Sequence, residues 1–274
     1  MIASLKMLAV AALGVLPQAA AAQGSAGLSA MNDRGDLLGW EAVGRIDLPG
    51  GFCTGALIAR DLVLTAAHCL YDDVGRPLDP ARIVFRAGYH SGTEIAASRV
   101  RQWATPEAYM PSAGGQSDAV MIRNDVALLR LATPMVAAEA DPFRIHQVPP
   151  EGTRVSVVSY GRGRAEVLSR EADCAMTGAF RGGILSFDCN VTFGSSGAPV
   201  FVREDGRLRI LSVISGGTAP GQPGSVSYGM TLPGLVTQLK QRLRVVDARP
   251  KVSAGARRVT VGQRNGTGAR FVRP

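Results

Sequence analysis

Apolar residues along this chain fall in short runs separated by turn-forming residues, the pattern of a protein built from strands. Trp40-Glu41-Ala42-Val43-Gly44-Arg45-Ile46 alternates apolar and polar positions in part, and Pro49-Gly50-Gly51 turns it. Phe52 to Ile58 is a compact strand. Arg60-Asp61 turns the chain again, and Leu62 to Thr65 forms a buried strand. Further strand-like runs cover Ile83 to Gly88, Ile95 to Trp103, Val126 to Leu131, Thr153 to Tyr160 and Leu208 to Ile214. Residues 104–123, punctuated by Pro106, Pro111, Gly114 and Gly115, read as a loop. Helical spacing appears near the end, at Leu232, Leu235, Val236, Leu239 and Leu243. Thr231 is the expected N-cap there, and Lys240, Arg242 and Arg244 suit the negative end of the helix dipole. The pattern predicts an all-β protein closed by a helix over 231–244.

Composition agrees with that pattern. The 274 residues are enough for one large or two small domains. With 46% hydrophobic and 19% charged residues the chain can bury a globular core. Aromatics make up only 5%, while 33 Gly and 16 Pro favour many short strands and turns over long helices. Pro149-Pro150-Glu151-Gly152 reads as a linker between two strand-rich halves, 38–148 and 149–230, after an N-terminal segment 23–37.

Residues 1–22 read as a secretory signal peptide. Lys6 supplies the positive start, Met7 to Leu16 a short apolar run broken by Pro17, and Ala20-Ala21-Ala22 small residues for cleavage before Gln23. That run is too short to span a bilayer comfortably, and no later stretch reaches spanning length. The expectation is an exported protein, periplasmic or secreted. The four cysteines, Cys53, Cys69, Cys174 and Cys189, form no C-x-x-C metal pair. In an oxidising compartment they should form disulfides, with three connectivities open by arithmetic.

The formal net charge of +8 resides mostly in residues 245–274, where Arg249, Lys251, Arg257, Arg258, Arg264, Arg270 and Arg273 face Asp247 alone. Such a segment is a solvated tail that could contact an anionic surface, envelope lipid or nucleic acid. It lacks interleaved aromatics, so specific nucleic-acid readout is not expected.

Three strings carry candidate chemistry. Ala66-Ala67-His68-Cys69 ends a strand in small residues, where an imidazole can project into a cleft. Asn124-Asp125-Val126-Ala127-Leu128-Leu129 opens a buried aliphatic run with an acid, which is costly unless N–H groups reach the carboxylate. Gly194-Ser195-Ser196-Gly197-Ala198-Pro199 is a small-residue turn on which a serine hydroxyl can stand clear of its neighbours beside converging N–H groups. His90 and His146 have no such context.

In this order the strings resemble the histidine, aspartate and serine motifs of the chymotrypsin-like serine endopeptidases, across roughly residues 38–244. Ser195 stands where many members carry Asp, and Ala198 where they carry Gly. Those departures make the chain look more like the bacterial exported branch that includes the glutamyl endopeptidases. Tyr160-Gly161 is similar to that family's Gly-Trp-Gly in altered form. The resemblance implies two antiparallel β-barrels packed together, with His68 and Asp125 from the first and Ser196 from the second. It implies Ser196 as nucleophile, Gly194 and Ser196 as the oxyanion hole, and Ser215-Gly216-Gly217 as the edge that holds substrate backbone. Cys53–Cys69 and Cys174–Cys189 are the expected pairs, each closing a short loop of neighbouring strands. The base of the primary pocket falls on Asn190. Asp188 aligns there only with a gap, and Ile214 takes the place of the histidine found in glutamyl members. A pocket without a buried charge, selecting neutral side chains, follows. Asn190-Val191-Thr192 also matches a glycosylation acceptor, read here as coincidence. A protein or peptide substrate, a monomer, and no metal or organic cofactor are expected. The competing reading is a non-catalytic binding protein on the same scaffold.

Overall fold

The computed structural model describes residues 27–111, 118–147, 151–218 and 224–248. The signal segment, the linker prolines and the tail from residue 249 onward lie outside them. The described chain opens with a short strand, β1 (Leu28–Ala30). Six strands follow that close a barrel: β2 (Val43–Leu48), β3 (Gly51–Ala59), β4 (Leu62–Thr65), β5 (Val84–Ala87), β6 (Ala96–Ala104) and β7 (Ala127–Leu131), in the order β2-β3-β4-β7-β6-β5. The β2–β3 hairpin pairs Leu48 with Gly51 across Pro49-Gly50, and Gly50 takes a φ of +96° that such a turn requires of its second central residue. Ile46, Leu57, Val63, Phe85 and Leu129 fill the barrel, alternating along their strands with residues that face outward.

The second half is a nine-stranded sheet. Its strands are β8 (Arg144–Ile145), β9 (Arg154–Gly161), β10 (Arg164–Phe180), β11 (Ile184–Phe187), β12 (Pro199–Glu204), β13 (Arg207–Val213), β14 (Gly216–Gly217) and β15 (Ser227–Met230), with β1 added on β10. The sheet curls until β13 meets β15: Ser212 Oγ donates to Met230 O at 2.9 Å and accepts from Met230 N–H at 2.8 Å. Val157, Phe187, Val200 and Leu211 are enclosed by the curl. Pairing is antiparallel except between β13 and β8, which run parallel. The all-β expectation of two packed barrels is met, with that one parallel edge as a departure.

Two α-helices, beside three short 3-10 turns, complete the described chain. α1 (Ala119–Asn124) lies in the stretch read as loop. Its six residues are too few to show a period, but Asp118 caps it by accepting the Met121 N–H at 2.8 Å. α2 (Pro233–Ala248) starts later and runs further than 231–244. Thr231 is not its cap. Its hydroxyl donates to Gly183 O at 3.2 Å, and Pro233 opens the helix, where a missing N–H costs nothing.

The halves are interlaced. β1, from the N-terminal segment, pairs with β10, and β8, which precedes the expected boundary at 148, pairs with β13. α2 returns to the first barrel, where Gln102 Nε2 donates to Leu243 O at 2.8 Å. One apolar cluster spans the junction, with Trp40, Leu64 and Leu128 from the first half and Tyr160, Phe201 and Leu239 from the second.

Candidate active site

His68 follows β4 and starts a single 3-10 turn, His68–Leu70. A disulfide from Cys69 to Cys53 on β3 pins that turn to the barrel. The imidazole keeps 38% of its side-chain surface exposed, whereas the Asp125 side chain keeps 5%. Asp125 ends α1 and precedes β7, so its position is fixed from both sides. Its carboxylate accepts three hydrogen bonds: His68 N–H to Oδ1 at 2.8 Å, His68 Nδ1 to Oδ2 at 2.7 Å, and Ser215 Oγ to Oδ2 at 2.6 Å. These partners answer the cost of burying an acid before an aliphatic strand. A carboxylate on Nδ1 fixes the tautomer that leaves Nε2 able to accept a proton. Burial lowers the imidazole pKa, but the charge and hydrogen bond of Asp125 outweigh it, and the net shift is upward from the ordinary 6.5.

The serine turn is held against the first barrel. Thr54 N–H donates to Ser196 O at 2.9 Å, and Thr54 Oγ1 donates to Gly194 O at 2.9 Å. A side chain on Gly197, at φ +74°, would collide with Thr65 Oγ1 and the Thr54 carbonyl. Gly194, at φ +93°, lies equally close to the Phe52 ring. Both glycines are needed for this approach, which sets the turn beside Thr65 at the end of β4, with Ala66 and Ala67 leading on to His68. Ser196 is half-buried, and its hydroxyl has no hydrogen-bond partner among the described residues. The Gly194 and Ser196 N–H groups are likewise unpartnered there, while Ser195 N–H is bonded to Thr192 O and Gly197 N–H to Ile214 O. Two free donors flanking Ser195, beside the Ser196 hydroxyl, are an arrangement that suits an anion.

The residues expected to line the pocket make the following contacts. Asn190 Oδ1 accepts from Ser225 Oγ at 3.3 Å, joining the segment before the serine turn to the one before β15. β14 is the sheet's terminal strand, and its Gly216 and Gly217 pair with Tyr228 and Ser227. A side chain at Gly216 would meet nothing within 4 Å, so this edge is open. The Ser215 hydroxyl also serves Asp125, a contact the sequence reading did not include. The second disulfide, Cys174–Cys189, ties β10 to the segment leading into Asn190.

One expectation needs correction. The pocket base was to lack a buried charge, yet Glu171 on β10, 5% exposed, lies directly behind Asn190. Its carboxylate accepts the Asn190 N–H at 2.6 Å and Asn190 Nδ2 at 3.2 Å. Burial raises the Glu171 pKa, against the lowering effect of those hydrogen bonds. Nothing in the local sequence signals this contact, since β10 register brings together residues 19 apart. Thr54 was missed for the same reason, although it adjoins Cys53 in the motif. No thiolate is available for a metal: the described clusters of possible ligands, Cys53 with His68 and Cys69 and Cys174 with Asp188 and Cys189, each contain a disulfide.

Comparison with known proteins places this geometry. Trypsin from Sarcophaga bullata is 34% identical over 117 residues, 40% of this chain and 39% of that protein. A cercarial protease from Schistosoma mansoni is 29% identical over 204 residues, 67% of this chain and 72% of that protein. The chain thus spans about two fifths of the first relative and nearly three quarters of the second. A solved Glu endopeptidase in complex with MPD superposes with a TM-score of 0.64 at 18% identity, over 81% of this chain and 98% of the other, and so shares the fold. Residues 53–209, more than half of the chain, match the family described as Trypsin-like peptidase domain, and the chain belongs to that family.

Proposed function

We propose that this chain is an exported serine endopeptidase that cleaves peptide bonds through an acyl-enzyme. Ser196 Oγ attacks the scissile carbonyl carbon while its proton passes to His68 Nε2. The carbonyl oxygen, now negative, is held by the Gly194 and Ser196 N–H groups. His68 returns the proton to the leaving amine as the C–N bond breaks. Water then attacks the acyl group by the same route, and carboxylic acid and free serine result. Asp125 holds the imidazole tautomer and stabilises its cation. The Gly216–Gly217 edge receives the substrate backbone as an added strand.

The observation that carries this reading is the bonded His68–Asp125–Ser215 set beside a serine turn with two unpartnered N–H donors. An open Ser196–His68 contact is compatible with it, because catalytic hydrogen bonds often tighten only when substrate binds. Export rests on the signal-like residues 1–22, on two disulfides, and on the peptidase relatives. Among the described residues no helix is long and apolar enough to cross a membrane.

The test is a fluorophosphonate probe with Ser196→Ala as control. The wild-type chain should label at Ser196, and S196A should fold yet lose peptidase turnover by about 10⁴-fold or more. A wild-type chain that binds peptide without labelling or hydrolysis would favour the binding-protein reading instead.

A further inference from the structure

We propose that Arg164 is a positioning residue that holds the oxyanion-binding turn in its working shape from behind. The inference rests on the reading of Ser196 as nucleophile and adds a component to that site. Arg164 begins β10, just past the turn that follows β9, and its side chain folds back over Gly161. Its Nη1 donates to Ser159 O at 2.6 Å. Its Nη2 donates to Ser159 Oγ at 3.1 Å and to Ser195 Oγ at 3.2 Å. Ser195 is fully buried and sits between Gly194 and Ser196, the two residues whose N–H groups are free. Its hydroxyl also lies 3.1 Å from Ser159 Oγ and 3.4 Å from Tyr160 O, and accepts from Thr192 N–H at 3.3 Å. The guanidinium therefore ties β9 to the middle of the serine turn.

The chemistry of this contact is unusual for a structural arginine. Every acceptor is neutral, and no described carboxylate lies within ion-pair reach of Arg164. Burial draws its pKa down to about 10, with the charge of Glu171 acting in the opposite sense, so it remains a cation at neutral pH. A cation held by uncharged groups is costly, and an apolar side chain of similar volume would avoid that cost. What it supplies is direction and charge. A turn with unpartnered N–H groups on both sides of Ser195 has an incentive to flip a peptide and satisfy them, and a planar guanidinium with Nη1 on Ser159 O and Nη2 on Ser195 Oγ resists the flip. A positive charge behind the turn also favours the negative oxygen that develops in front of it. Ser195 fits this role because its hydroxyl can accept from Arg164 while its small side chain stays buried.

The experiment compares Arg164→Met and Arg164→Lys with wild type, each titrated for active sites. The wild type is first shown to label with a fluorophosphonate, so failure of the peptidase reading is seen separately. Removing an oxyanion donor typically lowers kcat by about 100-fold or more, and R164M should show a loss of that order with KM within about threefold. R164K, which retains the charge and part of the donor set, should recover about tenfold of it. A peptide boronate, which mimics the tetrahedral state, should lose affinity for R164M in step with kcat/KM, and a product-like peptide acid should not. A merely structural role would lower the melting temperature and leave kcat per titrated site unchanged, and that result overturns the proposal. If R164M does not fold, Ser195→Ala removes the acceptor instead. A fall in kcat at constant KM supports the proposal, and wild-type kcat in folded S195A overturns it.

Discussion

At the residue scale, His68 carries two opposed influences. Burial disfavours its cation, and Asp125 favours it and prevails. Since the proposed proton transfer to His68 needs the neutral ring, kcat/KM should rise with pH through a midpoint above the ordinary 6.5. Asp125→Asn removes the favourable charge and leaves burial, so the midpoint should move below 6.5, with a rate loss of about 10⁴-fold. The ring signals of the chain's 3 histidines, followed by NMR in S196A and S196A/D125N, give the direction without turnover. An unchanged or raised His68 midpoint after D125N would contradict it. The linkage has a definite sign. A raised folded-state pKa stabilises the fold below the unfolded value of about 6.5, and that stabilisation disappears as pH rises through the folded value. The form that catalyses is therefore not the form in which this pair contributes most to stability.

At the scale of elements, β10 backs the residue proposed as the base of the primary pocket. It runs 17 residues, shifts register twice against β9, and passes from β9 to β11 as its partner. Glu171 reaches Asn190 from the strand's middle, and Cys174 anchors the segment leading into it. The Asn190 backbone N–H and one Nδ2 hydrogen go to the Glu171 carboxylate, and its Oδ1 accepts from Ser225. An acidic substrate side chain would meet the Glu171 carboxylate behind Asn190, whose one remaining amide hydrogen suits a neutral acceptor, and neutral side chains remain the favoured class. In matched peptides ending in Leu, Phe, Arg and Glu, we expect kcat/KM for the best neutral residue to exceed that for Glu by about 100-fold, roughly 2.7 kcal/mol at 1.36 per decade. A Glu preference would refute this, and an Arg preference would mean that the Glu171 field reaches through Asn190. Replacing Cys174 and Cys189 together by Ala should cost about 3 kcal/mol of stability. It should raise KM while fluorophosphonate labelling persists; lost labelling would show that the bridge supports the nucleophile and not only the proposed pocket. The sequence made the barrel strands and the three motifs legible because each is written in one contiguous string. Arg164, Glu171 and Thr54 were not legible, since their partners are set by pairing between distant strands. β1 and β8 are too short to carry a period, and α1 shows only its Asp118 cap.

At the scale of the molecule, the cation behind the serine turn comes from within the chain. Activity should then be independent of a defined N-terminus. Protein beginning at Gln23, with or without a few added residues, should show the same kcat/KM. If only one trimmed species is active, that independence is lost. The two halves also depend on each other. β1, β8 and α2 each cross to the opposite half, and Trp40 meets Phe201 edge-on at 5.2 Å across the junction. Unfolding should be a single transition in urea, with near-UV absorption changes and loss of probe labelling coincident. The shared cluster has a consequence for a protein that must emerge unfolded among copies of itself. His68 and Asp125 lie on one side of the junction and Ser196 on the other, and the Thr54 contacts that seat the serine turn exist only when the sides have met. On the proposed function, a half-folded chain would offer cleavable loops but no working blade, and the power to cut neighbours would arrive at the same step that closes the core.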